Sequence, residues 1–177
     1  MEQKLSPSVR VAEEGLNGRT TMWDDPFGDY RNGKKQLPVA LETHHPIDLM
    51  ILMLGTNDLK LRFSLDPFVI GEGIASLIQL SQASIFCPKQ ILLLAPLSLP
   101  LTAHEWNSQT FSGGLEKLDS VIKHYEFFAK KFGCGFLDAS KFACASEVDG
   151  VHMDKENHAK LGKAISDKSR LMLDLIN

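Results

Sequence analysis

Residues 48–54, DLMILML, are apolar on both faces, a pattern a strand adopts when helices cover its sheet above and below. Residues 90–95, QILLLA, repeat that character and stop at Pro96. Two weaker runs are expected to join them, residues 10–14, broken at Gly15, and residues 133–138 around CGFLD. Between these runs the apolar spacing changes to three and four. Leu115, Leu118, Ile122, Tyr125, Ala129 and Phe132 form one helical stripe, with Ser112 as its expected cap and Gly133 as its expected end. A final helix is expected from near Asp154, burying His158, Leu161, Ile165, Met172 and Leu175. A third spans about residues 68–83. A shorter one covers residues 38–44, with Pro38 in its first turn. Strands that alternate with helices make an open α/β sheet, mostly parallel. No repeat or linker divides the 177 residues, so a single domain over 1–177 is expected.

Composition narrows the partners. Against 22 acidic residues stand 19 Lys and Arg, a net charge of -3, so there is no excess of positive charge for a phosphate backbone. No apolar run approaches the ~18 residues that would span a bilayer, and MEQKLSPSVR lacks the apolar core of a secretory signal. Cys87, Cys134 and Cys144 form neither a CxxC pair nor an even framework, and read as reduced thiols of a cytoplasmic protein. Neither nucleic acid nor membrane is an expected partner.

In open α/β sheets ligands bind beyond the carboxyl ends of the strands. After the first run comes GLNGRTT (15–21), after the second GTND (55–58), and after the third PLSLP (96–100). Beyond the fourth, before the last helix, comes DGVH (149–152). Each has a plain reading alone. Asp149 suits a turn, Thr56 or Asn57 a helical-turn cap, Gly15 and Gly18 a positive φ, and His152 the surface. Together, on one sheet edge, they suit acyl transfer. Asp149 can hold one ring nitrogen of His152 while the other acts as general base. The Asn57 side-chain amide and the Gly18 backbone N–H suit an oxyanion. The remaining requirement is a nucleophile.

The blocks EEGLNGRTT (13–21), GTND (55–58) and DGVH (149–152), with WDDP (23–26) and LGTNDLKLRF (54–63), resemble the SGNH (GDSL-like) hydrolases, most closely their arylesterase-like branch. The similarity runs from about Val11 to the C-terminus. It implies a flavodoxin-like three-layer α/β/α sandwich with a mostly parallel sheet. It makes His152 the general base, Asp149 its orienting carboxylate, and Gly18 and Asn57 the oxyanion donors. It also implies small-molecule ester substrates, often acetyl esters of aryl, alkyl or sugar alcohols, with no metal and no organic cofactor. Several such relatives form oligomers, so a homo-oligomer is an implied assembly.

The family's GDS block is absent, and no GxSxG elbow replaces it. A strand, nucleophile loop and helix need roughly 30 residues, and only Met1 to Ser8 precede the run at Arg10. The expectation is therefore a sheet lacking the family's first strand and a chain without its nucleophile. The source would be a late start codon, an alternative start or a decaying gene. A shorter fold results instead if residues 10–14 pair directly with 48–54. Ser98 is the best internal serine, but its loop has no glycine for a sharp turn, so it reads as a loop or pocket residue. Ser6 and Ser8 lie on the wrong side of their strand.

A different class is a non-catalytic protein that keeps the pocket and binds a sugar or acyl ester through Asn57, Asp149, His152 and Trp106. Trp23, Phe27, Trp106 and Phe111 fall in expected loops, where they either line a pocket or pack on the sheet edge. GEGIAS (71–76) fits a helix start better than a dinucleotide loop. His44-His45 fits a helix end better than a metal site.

Overall fold

The computed structural model describes residues 5, 9–99 and 105–175. Three parallel strands form its sheet, in the order β1 (Leu49–Leu52), β2 (Gln90–Ala95), β3 (Gly135–Asp138). Leu49 lies opposite Gln90 and Leu52 opposite Leu93, while Leu92 lies opposite Gly135 and Ala95 opposite Asp138. β2 is central, and its alternate side chains enter two different cores. Ile91, Leu93 and Ala95 pack with α2 (Pro67–Ala83) and α4 (Leu115–Lys131) through Ile70, Ile74, Leu77, Ile78, Val121 and Tyr125. Leu92 and Leu94 point the other way, toward Leu137 of β3 and Leu161 of α5 (Lys155–Met172). Helices thus cover both faces, giving the expected three-layer α/β/α arrangement. α1 (Gly33–His44) lies against α2, and the short α3 (Glu105–Thr110) precedes α4.

Several helix boundaries follow from caps visible in the sequence. Asp66 accepts the Phe68 N–H ahead of Pro67, and Asp154 accepts the Asn157 N–H at the start of α5. Gly133, at φ +67, ends α4 as expected.

Other expectations are corrected. Residues 10–14 form no strand, and among the described residues β1 pairs with β2 alone. Two successive glutamates suit solvent better than a sheet, and Glu14 is bound to His44 at 2.7 Å. α1 starts at Gly33 because Asn32 caps it by accepting the Lys35 N–H, which leaves Pro38 in the helix interior. Ser112 caps nothing. The chain turns there, with Gly114 N–H bonded to Phe111 O, because Phe111 is drawn into the core, and α4 starts after that turn. In α5 His158 is exposed, and Leu161, Ser166 and Ser169 take the buried face. Leu175 lies beyond the helix. Ser6, Ser8 and Pro100 lie outside the described residues.

Candidate active site

β1 ends in a turn that only glycine fits. Gly55 has φ +112, and a Cβ there would overlap the Tyr125 hydroxyl, which donates to Leu54 O at 3.0 Å. A short helical turn, Asn57–Leu59, follows, and neither Thr56 nor Asn57 caps it with a side chain. Asn57 Nδ2 instead donates to Arg19 O at 3.0 Å. Next to it, Asp58 accepts the Thr21 N–H, at 3.0 and 3.2 Å from its two oxygens, and the Thr21 hydroxyl. The glycine block and GTND, 38 residues apart, therefore meet, with Gly18 one residue before the carbonyl that Asn57 holds. An amide nitrogen carries two hydrogens, so the bond to Arg19 O orients Asn57 and leaves one N–H for a ligand.

The glycine block is held from its other side as well. Thr20 N donates to Arg31 O at 2.9 Å, and Gly33 N donates to Thr20 O at 3.1 Å. In α2, Gly73 faces Thr21 so closely that a Cβ would overlap its hydroxyl. The helix thus admits the loop only because that position has no side chain.

On the β2–β3 side, residue 98 bridges to residue 144, with Ala145 N donating to Ser98 O at 3.3 Å. The chain then closes a loop. Gly150 N donates to Ser146 O, Ser146 N donates to His152 O, and Asn107 Nδ2 donates to Asp149 O at 2.8 Å. Inside it, His152 Nδ1 lies 2.6 Å from Asp149 Oδ2, while Asp149 Oδ1 accepts the N–H groups of Val151 and His152, each at 2.9 Å. The Val151 N–H, then the His152 ring, hold the Asp149 carboxyl down at about 2. His152 keeps a side-chain exposure of 65%, and among the described residues no hydroxyl hydrogen-bonds its ring. A carboxylate that fixes one imidazole nitrogen and leaves the other open can orient a general base.

The structure thus brings Asn57 to Arg19, the residue after Gly18, and Asp149 to His152. No hydrogen bond among the described residues joins the first pair to the second. Ser98 is exposed and its hydroxyl does not bond the His152 ring. Trp23 is half-buried beside the glycine block, its Nε1 buried without a partner among the described residues. Trp106 is 73% exposed on α3, next to the Asn107 that ties down Asp149. Phe111, 2% exposed, belongs to the core, and Phe27 lies on the surface beneath Arg62. Asp58, Thr21, Tyr125 and Asn107 have structural parts in the site that sequence reasoning did not assign. Asp58 lay within GTND, and Tyr125 within the apolar stripe of α4. Among the described residues no three His, Cys, Asp or Glu are grouped to hold a metal ion.

No family model matches the chain, and the search of curated proteins gives no match. Solved structures do match. A carbohydrate acetylesterase from Sinorhizobium meliloti is 33% identical, covers 96% of this chain and 82% of its own, and superposes with a TM-score of 0.90. The inhibitor-bound M. smegmatis aryl esterase is 34% identical over 96% of this chain and 82% of its own, with a TM-score of 0.91. A lipase/acylhydrolase from Enterococcus faecalis, 19% identical over 86% of this chain and 72% of its own, shares the fold at a TM-score of 0.60. With its glycine block, GTND and DGVH in loops of one α/β fold and such identity over most of their length, this chain belongs to the arylesterase-like branch of the SGNH (GDSL-like) hydrolases.

Proposed function

We propose that the chain carries the base and the oxyanion donors of a hydrolase acting on esters of small acyl groups. The observation that carries this reading is the 2.6 Å contact between His152 Nδ1 and Asp149 Oδ2 in the loop leading from β3 to α5. His152 Nε2 takes the proton of a serine hydroxyl as the oxygen attacks the ester carbonyl, and Asp149 stabilises the resulting imidazolium. The Gly18 N–H and the second N–H of Asn57 receive the oxyanion. The imidazolium then protonates the leaving alcohol, and water repeats the sequence on the acyl-serine. Matching structures named for carbohydrate acetyl esters and aryl esters support acetyl esters of sugars or phenols as the substrate class.

The serine is the component that these 177 residues do not supply, since no GDS occurs in them. The folded chain is therefore expected to give no fluorophosphonate adduct by intact mass and negligible hydrolysis of p-nitrophenyl acetate. An N-terminal extension supplying a strand that ends in Gly-Asp-Ser is expected to restore turnover, which His152→Ala then abolishes. A single adduct on the unextended chain, lost in His152→Ala, would falsify the absence of a nucleophile. An extended, folded and unreactive chain would overturn the assignment of the base.

Because the His152 ring bonds no hydroxyl among the described residues, binding without turnover is the second reading. A saturable calorimetric signal with an acetylated sugar, lost in Asn57→Ala, would favour it. Free thiols at Cys87, Cys134 and Cys144 support a cytoplasmic location. Among the described residues, no helix is long and apolar enough to cross a membrane.

A further inference from the structure

Two consecutive side chains of one short turn grip the glycine block from below. Asn57 holds the carbonyl of Arg19, and Asp58 holds both the amide and the hydroxyl of Thr21. Asp58 is 1% exposed, and Thr20 and Thr21 are fully buried. Thr21 cannot retreat, because α2 lies against its hydroxyl at Gly73 and Lys34 N donates to its carbonyl at 2.9 Å. Among the described residues, no cation forms an ion pair with Asp58. Lys60 acts on it through charge at longer range, and its own nitrogen lies 4.0 Å from Asp25, which also meets Arg62. Arg31 adds to the positive charge around Lys60. From α4, Tyr125 faces the same region with its hydroxyl donated to Leu54 O. The carboxylate is thus held in a buried place mainly by the donors of Thr21.

We propose that Asp58 is the positioning residue of the oxyanion donors, its carboxylate clamping Thr21 so that the Gly18 N–H and the Asn57 amide are held as one unit. The role rests on the reading of Gly18 and Asn57 given above. A buried carboxylate with no other function costs stability, and a neutral isostere would fill the same space. The ionised form accepts strongly from all of the Thr21 donors at once. Burial raises the Asp58 carboxyl to about 6, against the opposing pull of the Thr21 bonds. The clamp is therefore complete above that pH and slackens as the pH falls through it.

The test is NMR of the intact chain, labelled with 13C and 15N and titrated from pH 8 to pH 4.5. The Asp58 carboxyl, the Thr21 and Gly18 amides and the Asn57 side-chain amide are expected to shift with one common midpoint near 6. The His152→Ala variant, which removes the imidazole of the proposed base, is expected to keep that midpoint. In Asp58→Asn the midpoint is expected to vanish from Gly18 and Asn57. If that variant does not fold, the wild-type and His152→Ala titrations decide alone. Gly18 and Asn57 signals that stay still while Asp58 titrates, or that lose their midpoint in His152→Ala, would overturn the proposal. No ester is turned over in this measurement, so a chain without esterase activity can still show or lack the common midpoint.

Discussion

Asp149 shows how much a single carboxylate does in this loop. Two backbone N–H groups and the His152 ring converge on it and hold its carboxyl at about 2, below the ordinary 3.8. A depressed carboxylate stabilises the fold fully above its unfolded value and loses that contribution as the pH falls through the folded one. The loop is therefore expected to keep its structure to pH 4 and to release it between pH 4 and 2. The Val151 and His152 amide shifts, followed by NMR, should show a midpoint near 2. A midpoint near 4 would mean that Asp149 is free. This pair was legible in the sequence because Asp149 and His152 are three apart and the contact is local. The Asn57–Arg19 bond was not, because nothing in two separated segments tells which carbonyl an amide will find. The plain cap reading of Asn57 failed for the same reason, because a distant carbonyl took its side chain, and Thr56 makes no side-chain cap.

Among the elements, the turn after β1 couples a loop to a helix. Gly55 and Tyr125 occupy one space, and the tyrosine hydroxyl closes it by bonding Leu54 O. Gly55→Ala is expected to destabilise by about 1–3 kcal/mol, from a strained positive φ together with the steric overlap. Tyr125→Phe alone is expected to cost about 1–2 kcal/mol for the lost buried hydrogen bond. Because removing the hydroxyl relieves the overlap, the double variant should lose less than the sum, as urea denaturation in a double-mutant cycle would show. Additive losses would mean that the two groups do not share the space. Helix α5 was legible from Asp154, a cap that acts within one turn, as Asp66 does at the start of α2. α1 was misjudged because its start depends on Asn32, which is fixed through the loop at residue 20 rather than by its own neighbours. Residues 10–14 looked strand-like from a short apolar run alone, but Glu13 and Glu14 are exposed and the segment forms no strand.

For the whole molecule, the parallel sheet was readable because β1 and β2 carry apolar side chains on both faces, which excludes a half-solvated antiparallel sheet. What the pattern could not convey is position within the sheet. β2 is buried almost throughout, whereas Leu49, Met50 and Ile51 of β1 are only half-buried at its edge. Hydrogen exchange is expected to follow that order, with the Leu92–Leu94 amides slowest and the β1 amides faster. Equal protection in both strands would show that β1 is covered as fully as β2.

Position 73 sets two kinds of fitness against each other. Glycine is among the poorest helix formers and alanine the best, by about 1 kcal/mol, and Gly73 stands in the middle of α2. A library of variants ranked by intrinsic helicity would enrich alanine there. The methyl group would then meet the Thr21 hydroxyl and push the glycine block away from Asp58. Enrichment for helix propensity would displace the glycine block from behind, and with it the proposed oxyanion donors, without touching Gly18, Asn57, Asp149 or His152.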